Sequence, residues 1–232
     1  MADSGPGEPG EPGEPGEPSE PGTPGWAGPP VLSATGICHR YGDRAVLHDL
    51  SLTVSSGERV AIVGENGAGK TTLMQICARL LKPQSGTLQI DGRVGYCPQI
   101  PGLHELLTPN EHLALFSPAM GLTRGEGIAR GRELLAEFGF PATDHGAQIR
   151  HLSGGCQQKL NLTLALLGGA RLLLLDEPYQ GFDHGSYMNF WDHVERWSNQ
   201  GIAVVVVTHM LADLDLVDRV VSLAAVGETS TV

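Results

Sequence analysis

The chain has 232 residues, with 15 Lys+Arg against 26 Asp+Glu, a formal net charge of −11, four cysteines and 41% apolar residues. That length fits one globular unit, and the acidic balance excludes a surface built to track a nucleic-acid backbone. No apolar run approaches the about 20 residues that a membrane-crossing helix needs; Leu172 to Leu175 and Ala203 to Val207 are of strand length only.

Residues 7–18 repeat Gly-Glu-Pro four times, and the first 25 positions hold 14 of the chain's glycines and prolines. They also hold six acids (Asp3, Glu8, Glu11, Glu14, Glu17 and Glu20) and no base. Glycine at every third position is what a triple helix requires, but four like-charged triplets are too few to hold one together. Residues 1–30 therefore read as an extended, solvated tail. Asp3 and the Gly-Glu-Pro run stand where a secretory signal needs a basic start and an apolar stretch, so a cytoplasmic chain is expected. Cys38, Cys77, Cys97 and Cys156 lack the paired spacing of a zinc site and read as free thiols.

From about Val31 the pattern alternates short β-rich runs with helical stretches, as in a domain whose strands are covered by helices. Ala45 to Val54 is expected as an early strand and Arg59 to Val63 as a buried one. Thr71 to Leu81 has apolar residues at helical spacing, with Lys82-Pro83 as its stop. Thr87 to Ile90 and Arg93 to Cys97 read as short strands. The middle of the chain is a helical insert: Thr108 with Pro109 marks an N-cap and first helical position, and Arg124 to Phe138 is an amphipathic stretch ended by Gly139. Leu172 to Leu175 and Ala203 to Val207 are central strands buried on both faces, with a helix at about His184 to Asn199 between them.

Gly64-Glu65-Asn66-Gly67-Ala68-Gly69-Lys70-Thr71 fits the phosphate-loop pattern, after an expected strand and opening an expected helix. Its glycines let backbone N–H groups turn inward around a phosphate, the helix N-terminus adds its positive end, Lys70 neutralises charge and the Thr71 hydroxyl ligates Mg²⁺. Leu172 to Leu175 run into Asp176 and Glu177, so two carboxylates emerge at the carboxyl end of a buried strand, where open α/β sheets bind ligands. Asp176 there can organise water around Mg²⁺, and Glu177 is placed to orient or deprotonate an attacking water.

Leu152-Ser153-Gly154-Gly155, followed by Gln157-Gln158-Lys159, resembles the signature of the ABC (ATP-binding cassette) ATPases, and it lies between the two nucleotide motifs as in that family. Gln99 after Tyr96-Cys97-Pro98 resembles the family's Q-loop, Asp183 after Gly181-Phe182 its D-loop, and His209 after Thr208 its switch histidine. The resemblance covers about residues 31–223. It implies an α/β fold, a P-loop NTPase (RecA-like) core with an antiparallel β-subdomain and a helical signature subdomain at about 101–168, leaving 224–232 as a short C-terminal tail.

The resemblance also implies that Tyr41 stacks on adenine and that Gly64, Glu65, Asn66, Gly67, Ala68, Gly69, Lys70, Thr71 and Thr72 hold the phosphates of ATP. Thr71 and Gln99 would ligate Mg²⁺, and Asp176 would hold it through water. Glu177 would be the general base, assisted by Lys70 and Gln99, and His209 would contact the γ-phosphate. Ser153, Gly154 and Gly155, with Asp183 nearby, would complete a site for ATP held by a second subunit. A Ser-Gly-Gly turn opening a helix is an anion-binding turn in its own right, and one chain does not need two. The expected partners are thus a second cassette, in a homodimer or a pair, and a transmembrane permease subunit docked near Gln99 to Ala119, with no nucleic acid.

Two departures stand out. Cys156 takes the place of the signature's usual Gln, and Pro178-Tyr179-Gln180-Gly181-Phe182 replaces the small residues usual before the D-loop aspartate. The implied function is an ATP-hydrolysing subunit, on the inner face of the cell membrane, that powers a separately encoded channel and is more similar to exporter-type cassettes than to sugar importers. The alternative within the family is a soluble ATPase acting on ribosomes or DNA.

Overall fold

The computed structural model describes residues 29–224; the Gly-Glu-Pro segment and residues 225–232 lie outside the described residues. Two long strands, β1 (Pro30–Tyr41) and β2 (Arg44–Ser55), form a hairpin through a two-residue turn at Gly42-Asp43. The hairpin pairs antiparallel on its β1 side with β4 (Ser85–Ile90) in a three-stranded sheet of order β2-β1-β4. Between them in sequence come β3 (Arg59–Gly64) and α1 (Lys70–Cys77).

The second sheet is parallel throughout. It adds β5 (Val94–Cys97), β6 (Leu172–Asp176), β7 (Ala203–Val207) and β8 (Arg219–Leu223) to β3, in the order β5-β6-β7-β3-β8. Parallel neighbours need crossover connections, and α5 (His184–Asn199) supplies the one between β6 and β7. Every residue of β6 and β7 is buried, as their unbroken apolar runs require. Their side chains alternate: Leu172, Leu174, Val205 and Val207 join a core with α1 and the antiparallel sheet. Leu173, Leu175, Val204 and Val206 join a second core with Phe190, Trp191, Val194 and Trp197 of α5.

A third core belongs to the helical insert, made of α2 (Pro109–Phe116), α3 (Arg124–Glu137) and α4 (Gly154–Leu167). Thr108 caps α2 and Thr123 caps α3, each in a reciprocal capping box with a glutamate three residues on. Helix α4 is apolar on two sides. Leu160, Leu164 and Leu167 pack into the insert, whereas Leu162, Ala165 and Leu166 pack against the parallel sheet, so α4 fixes the insert to the core.

Helix α1 is shorter than its periodicity predicts. It ends at Cys77, because Arg79 turns into the left-handed region (φ +61°) and the Leu80 and Leu81 N–H groups donate back to the Gln75 carbonyl at 2.9 and 3.2 Å. Leu81 thereby still reaches the core, while Leu80 projects into solvent. The chain thus has the expected α/β class, a parallel-sheet core with an antiparallel β-subdomain and a helical subdomain.

Candidate functional site

The carboxyl ends of β3, β6 and β7 meet at one edge of the parallel sheet, and a cleft of about 420 Å³ opens there. The loop from Gly64 to Gly69 leaves β3 and feeds α1, with Gly69 at the N-cap in a left-handed conformation (φ +95°). A Cβ on Gly69 would lie 2.8 Å from Leu47 Cδ2, so backbone geometry and packing both demand glycine there. Lys70 Nζ donates to the Gly64 and Glu65 carbonyls at 2.7 and 2.9 Å. Asn66, Gly67, Gly69, Lys70, Thr71 and Thr72 line the cleft, whereas Gly64, Glu65 and Ala68 of the same loop do not.

Asp176 ends β6, and its carboxylate is buried, with Oδ2 lacking any partner. Burial pushes its pKa up, while a hydrogen bond with the Thr71 side chain and the nearby Lys70 charge pull it down. Glu177 follows with φ +48°, a conformation that costs a non-glycine residue about 1 kcal/mol or more. Its N–H donates to the Val207 carbonyl at 3.2 Å, and Glu177 Oε2 accepts from Gln99 Nε2 at 3.0 Å. On the other carboxylate oxygen, Oε1 lies 3.4 Å from His209 Nδ1. Gln99, Glu177 and His209, taken from segments 78 and 32 residues apart in sequence, therefore converge on one carboxylate beside the phosphate loop.

Tyr41, at the end of β1, lines the far side of the cleft with half of its surface exposed and its ring edge-on to His39. An open aromatic face at that place suits a flat, stacked base. Arg44 and Val46 line the same wall. Sequence reasoning missed both; the signal was available, since Arg44 is a base three residues after Tyr41. The Arg44 guanidinium lies over the phosphate loop, where a Cβ on Gly67 would come within 2.8 Å of Nη2.

Ser153, Gly154, Gly155 and Asp183 do not line this cleft. Ser153 caps α4, accepting from the Cys156 N–H at 3.2 Å. Gly155 is pressed against the turn before Asp183, since a Cβ there would lie 2.7 Å from the Gly181 carbonyl oxygen. Asp183 caps α5 and accepts from the Ser186 N–H and hydroxyl at 2.9 and 3.0 Å, which hold its carboxyl below the ordinary range. The two helix starts thus sit back to back as a second polar surface, separate from the cleft.

A family model described as ABC transporter matches residues 47–180. The chain is similar to the human phospholipid-transporting ATPase ABCA3, at 33% identity over 80% of this chain and 12% of that protein. It is also similar to the Bacillus subtilis uncharacterized ABC transporter ATP-binding protein YxlF, at 34% identity over 86% of this chain and 70% of that protein. A third relative is the Streptomyces coeruleorubidus daunorubicin resistance ATP-binding protein DrrA3, at 33% identity over 82% and 64% respectively. The chain thus spans about an eighth of the human relative's length and roughly two thirds of each bacterial one. A solved ATP-binding subunit of an ABC transporter superposes with a TM-score of 0.76 at 30% identity, covering 83% of this chain and 85% of that one.

Proposed function

The chain belongs to the ABC transporter family, and on that premise we propose that it is the ATP-binding and ATP-hydrolysing subunit that powers transport of a substrate through a separately encoded transmembrane partner. The observation that carries this reading is the convergence of the phosphate loop, Asp176, Glu177 and Gln99 at one cleft, with His209 against Glu177.

In this reading Tyr41 stacks on adenine, and the loop N–H groups with Lys70 hold the phosphates, Lys70 exchanging its two carbonyl partners for phosphate oxygens. Mg²⁺ fits the oxygen donors present: Thr71, Gln99 and, through water, Asp176, whose partnerless buried Oδ2 is otherwise unexplained. Mg²⁺ takes few protein ligands and keeps water and phosphate oxygens around it. When bound, Mg²⁺ neutralises charge on the phosphates. Glu177 takes a proton from water as the water oxygen attacks the γ-phosphorus, the bond to the bridging oxygen breaks, and ADP and phosphate leave. His209, beside Glu177, donates a hydrogen bond to the transferred phosphoryl group.

The signature surface at Ser153 to Gly155 serves ATP held by a second cassette, and Asp183 lies at that contact. The transmembrane partner docks in an apolar groove of about 330 Å³, lined by Leu80, Tyr96, Pro98, Leu103, Phe116 and Met120. It sits between the parallel sheet and the insert, and no helix among the described residues is long and apolar enough to cross a membrane itself. The likeness to ABC transporter ATP-binding proteins supports a subunit on the cytoplasmic face of the membrane, in a domain we take to span about 31–223. The naming of one relative for drug resistance supports export.

Replacing Glu177 with Gln tests the chemistry. ATP binding, followed with a fluorescent analogue, should be preserved, and turnover should fall by about 100-fold or more; unchanged turnover would refute the general-base assignment.

A further inference from the structure

Asp213 lies on the segment after His209 and is completely buried, yet none of the ion pairs among the described residues involves it. Its carboxylate is met by three hydroxyls instead. Tyr179 and Thr208 both donate to Oδ2, and Tyr187 donates to Oδ1. The Tyr179 and Thr208 oxygens also lie against each other, but each hydroxyl commits its one proton to Asp213, so that contact adds no further bond; Thr208 Oγ1 accepts from the Met210 N–H at 3.0 Å. A carboxylate buried to this degree persists only when its oxygens are satisfied.

These donors come from three different segments, each carrying a residue of the site described above. Tyr179 lies two residues after Glu177, Thr208 precedes His209, and Tyr187 stands in the first turn of the helix capped by Asp183. The Tyr179 ring packs edge-on against Tyr187 and Phe190 at centroid distances of 5.3 and 5.6 Å, so α5 fixes where its hydroxyl can be. A smaller residue at 179 could not reach Asp213.

We propose that Tyr179 and Asp213 are positioning residues for hydrolysis, a buried clamp that holds the turn bearing Glu177 against the strand end bearing His209 and keeps those two side chains within 3.4 Å. The clamp rests on the hydrolytic reading given above. Burial raises the Tyr179 pKa, so the phenol remains a donor throughout the working pH range. The phosphate loop and Tyr41 lie outside the clamp, so loosening it affects the chemical step and leaves nucleotide affinity alone.

The test is steady-state ATPase and ATP-binding measurement on the full chain for wild type, Tyr179→Phe, His209→Ala and the double variant. Tyr179→Phe should lower kcat about tenfold with the KM and Kd for ATP within about twofold, and should add less than about twofold to the His209→Ala loss. An unchanged kcat, a parallel loss of ATP affinity, or multiplicative losses in the double variant would overturn the clamp. Thr208→Val and Thr208→Ser probe it from the other side if Tyr179→Phe does not fold: the valine should reproduce the kcat loss and the serine, which keeps the hydroxyl, should restore it. An inert wild type would overturn hydrolysis and clamp together. An active wild type indifferent to both Tyr179→Phe and Thr208→Val overturns the clamp alone.

Discussion

Asp176 is held under opposed demands. It closes a fully buried strand, so desolvation favours its neutral form, while the Thr71 hydroxyl and Lys70 favour the carboxylate. The net effect is a folded pKa above the ordinary 3.8, so the folded chain holds this proton more tightly than the unfolded chain does. The stabilising contribution of protonated Asp176 is complete below the ordinary carboxylate pKa and is lost as pH rises through the folded value. In the nucleotide-free protein the charged form is thus the costly one, and a bound cation would offset that cost. Asp176→Asn should raise its Tm by about 2–4 °C, equivalent to about 1 kcal/mol for a chain this size, and should abolish Mg²⁺-dependent turnover. The Tm difference between variant and wild type should shrink as pH is lowered from 7 toward about 4; calorimetry that shows no such convergence would contradict the assignment. The residues of this cleft were legible in the sequence where their spacing is local, as in Gly64 to Thr71 or Asp176-Glu177. Asp213 was not legible, because its partners Tyr179 and Tyr187 stand 34 and 26 residues away and no periodicity links them.

Strand β8 shows why some elements escape a reading of pattern. Its burial alternates, with Val220 and Ser222 half out of the core at the edge of the sheet, so Arg219 to Leu223 lacks the unbroken apolar run that made β6 and β7 legible. Strand β1 was blurred for a different reason: its register with β2 shifts at several places, which breaks the two-residue alternation that a strand is recognised by. Beside its backbone pairing with β3, charge holds β8. Asp218 accepts from the Arg59 N–H at 2.8 Å and from its guanidinium at 2.7 and 3.1 Å, and Arg219 donates to Glu58 at 2.8 Å. The strand in turn supports the phosphate loop, since a Cβ on Gly64 would collide with the Leu223 carbonyl. The hydrogen bond to Asp218 raises the Arg59 pKa, but the pair is partly exposed, so solvent screening limits its worth. Asp218→Ala should cost about 1 kcal/mol and lower Tm by about 2–4 °C in thermal unfolding. A variant as stable as wild type would mean that pairing with β3 alone retains the strand.

At the scale of the whole molecule, the chain displays two glycine-rich helix starts, at Lys70 and at Gly154, that do not open into one cleft. Lys70 and the phosphate loop open into the cleft, whereas Ser153 to Gly155 stand outside it, backed by Gly181 and the Asp183 cap. In the proposed reading a two-fold dimer resolves this: an isologous contact would place each chain's signature on its partner's loop and build two identical composite sites. ATP between them would contribute to the interface, so its hydrolysis would loosen the contact and bias the assembly between closed and open states. This division of labour makes a sharp prediction. A chain with Lys70→Ala lacks the loop cation but keeps its signature, and one with Gly154→Asp keeps the loop but carries a charge that repels phosphate. Each should be inactive alone. In an equal mixture half of the dimers are mixed, and each mixed dimer has one intact composite site beside one doubly damaged site, so activity should recover to at most about a quarter of wild type. Recovery should require ATP concentrations that drive association, and it should scale with the mixed-dimer population seen by native mass spectrometry. Mixed dimers that form and remain inert would show that the two helix starts do not share a nucleotide. Activity retained by the Gly154→Asp chain alone would place the whole reaction within one subunit.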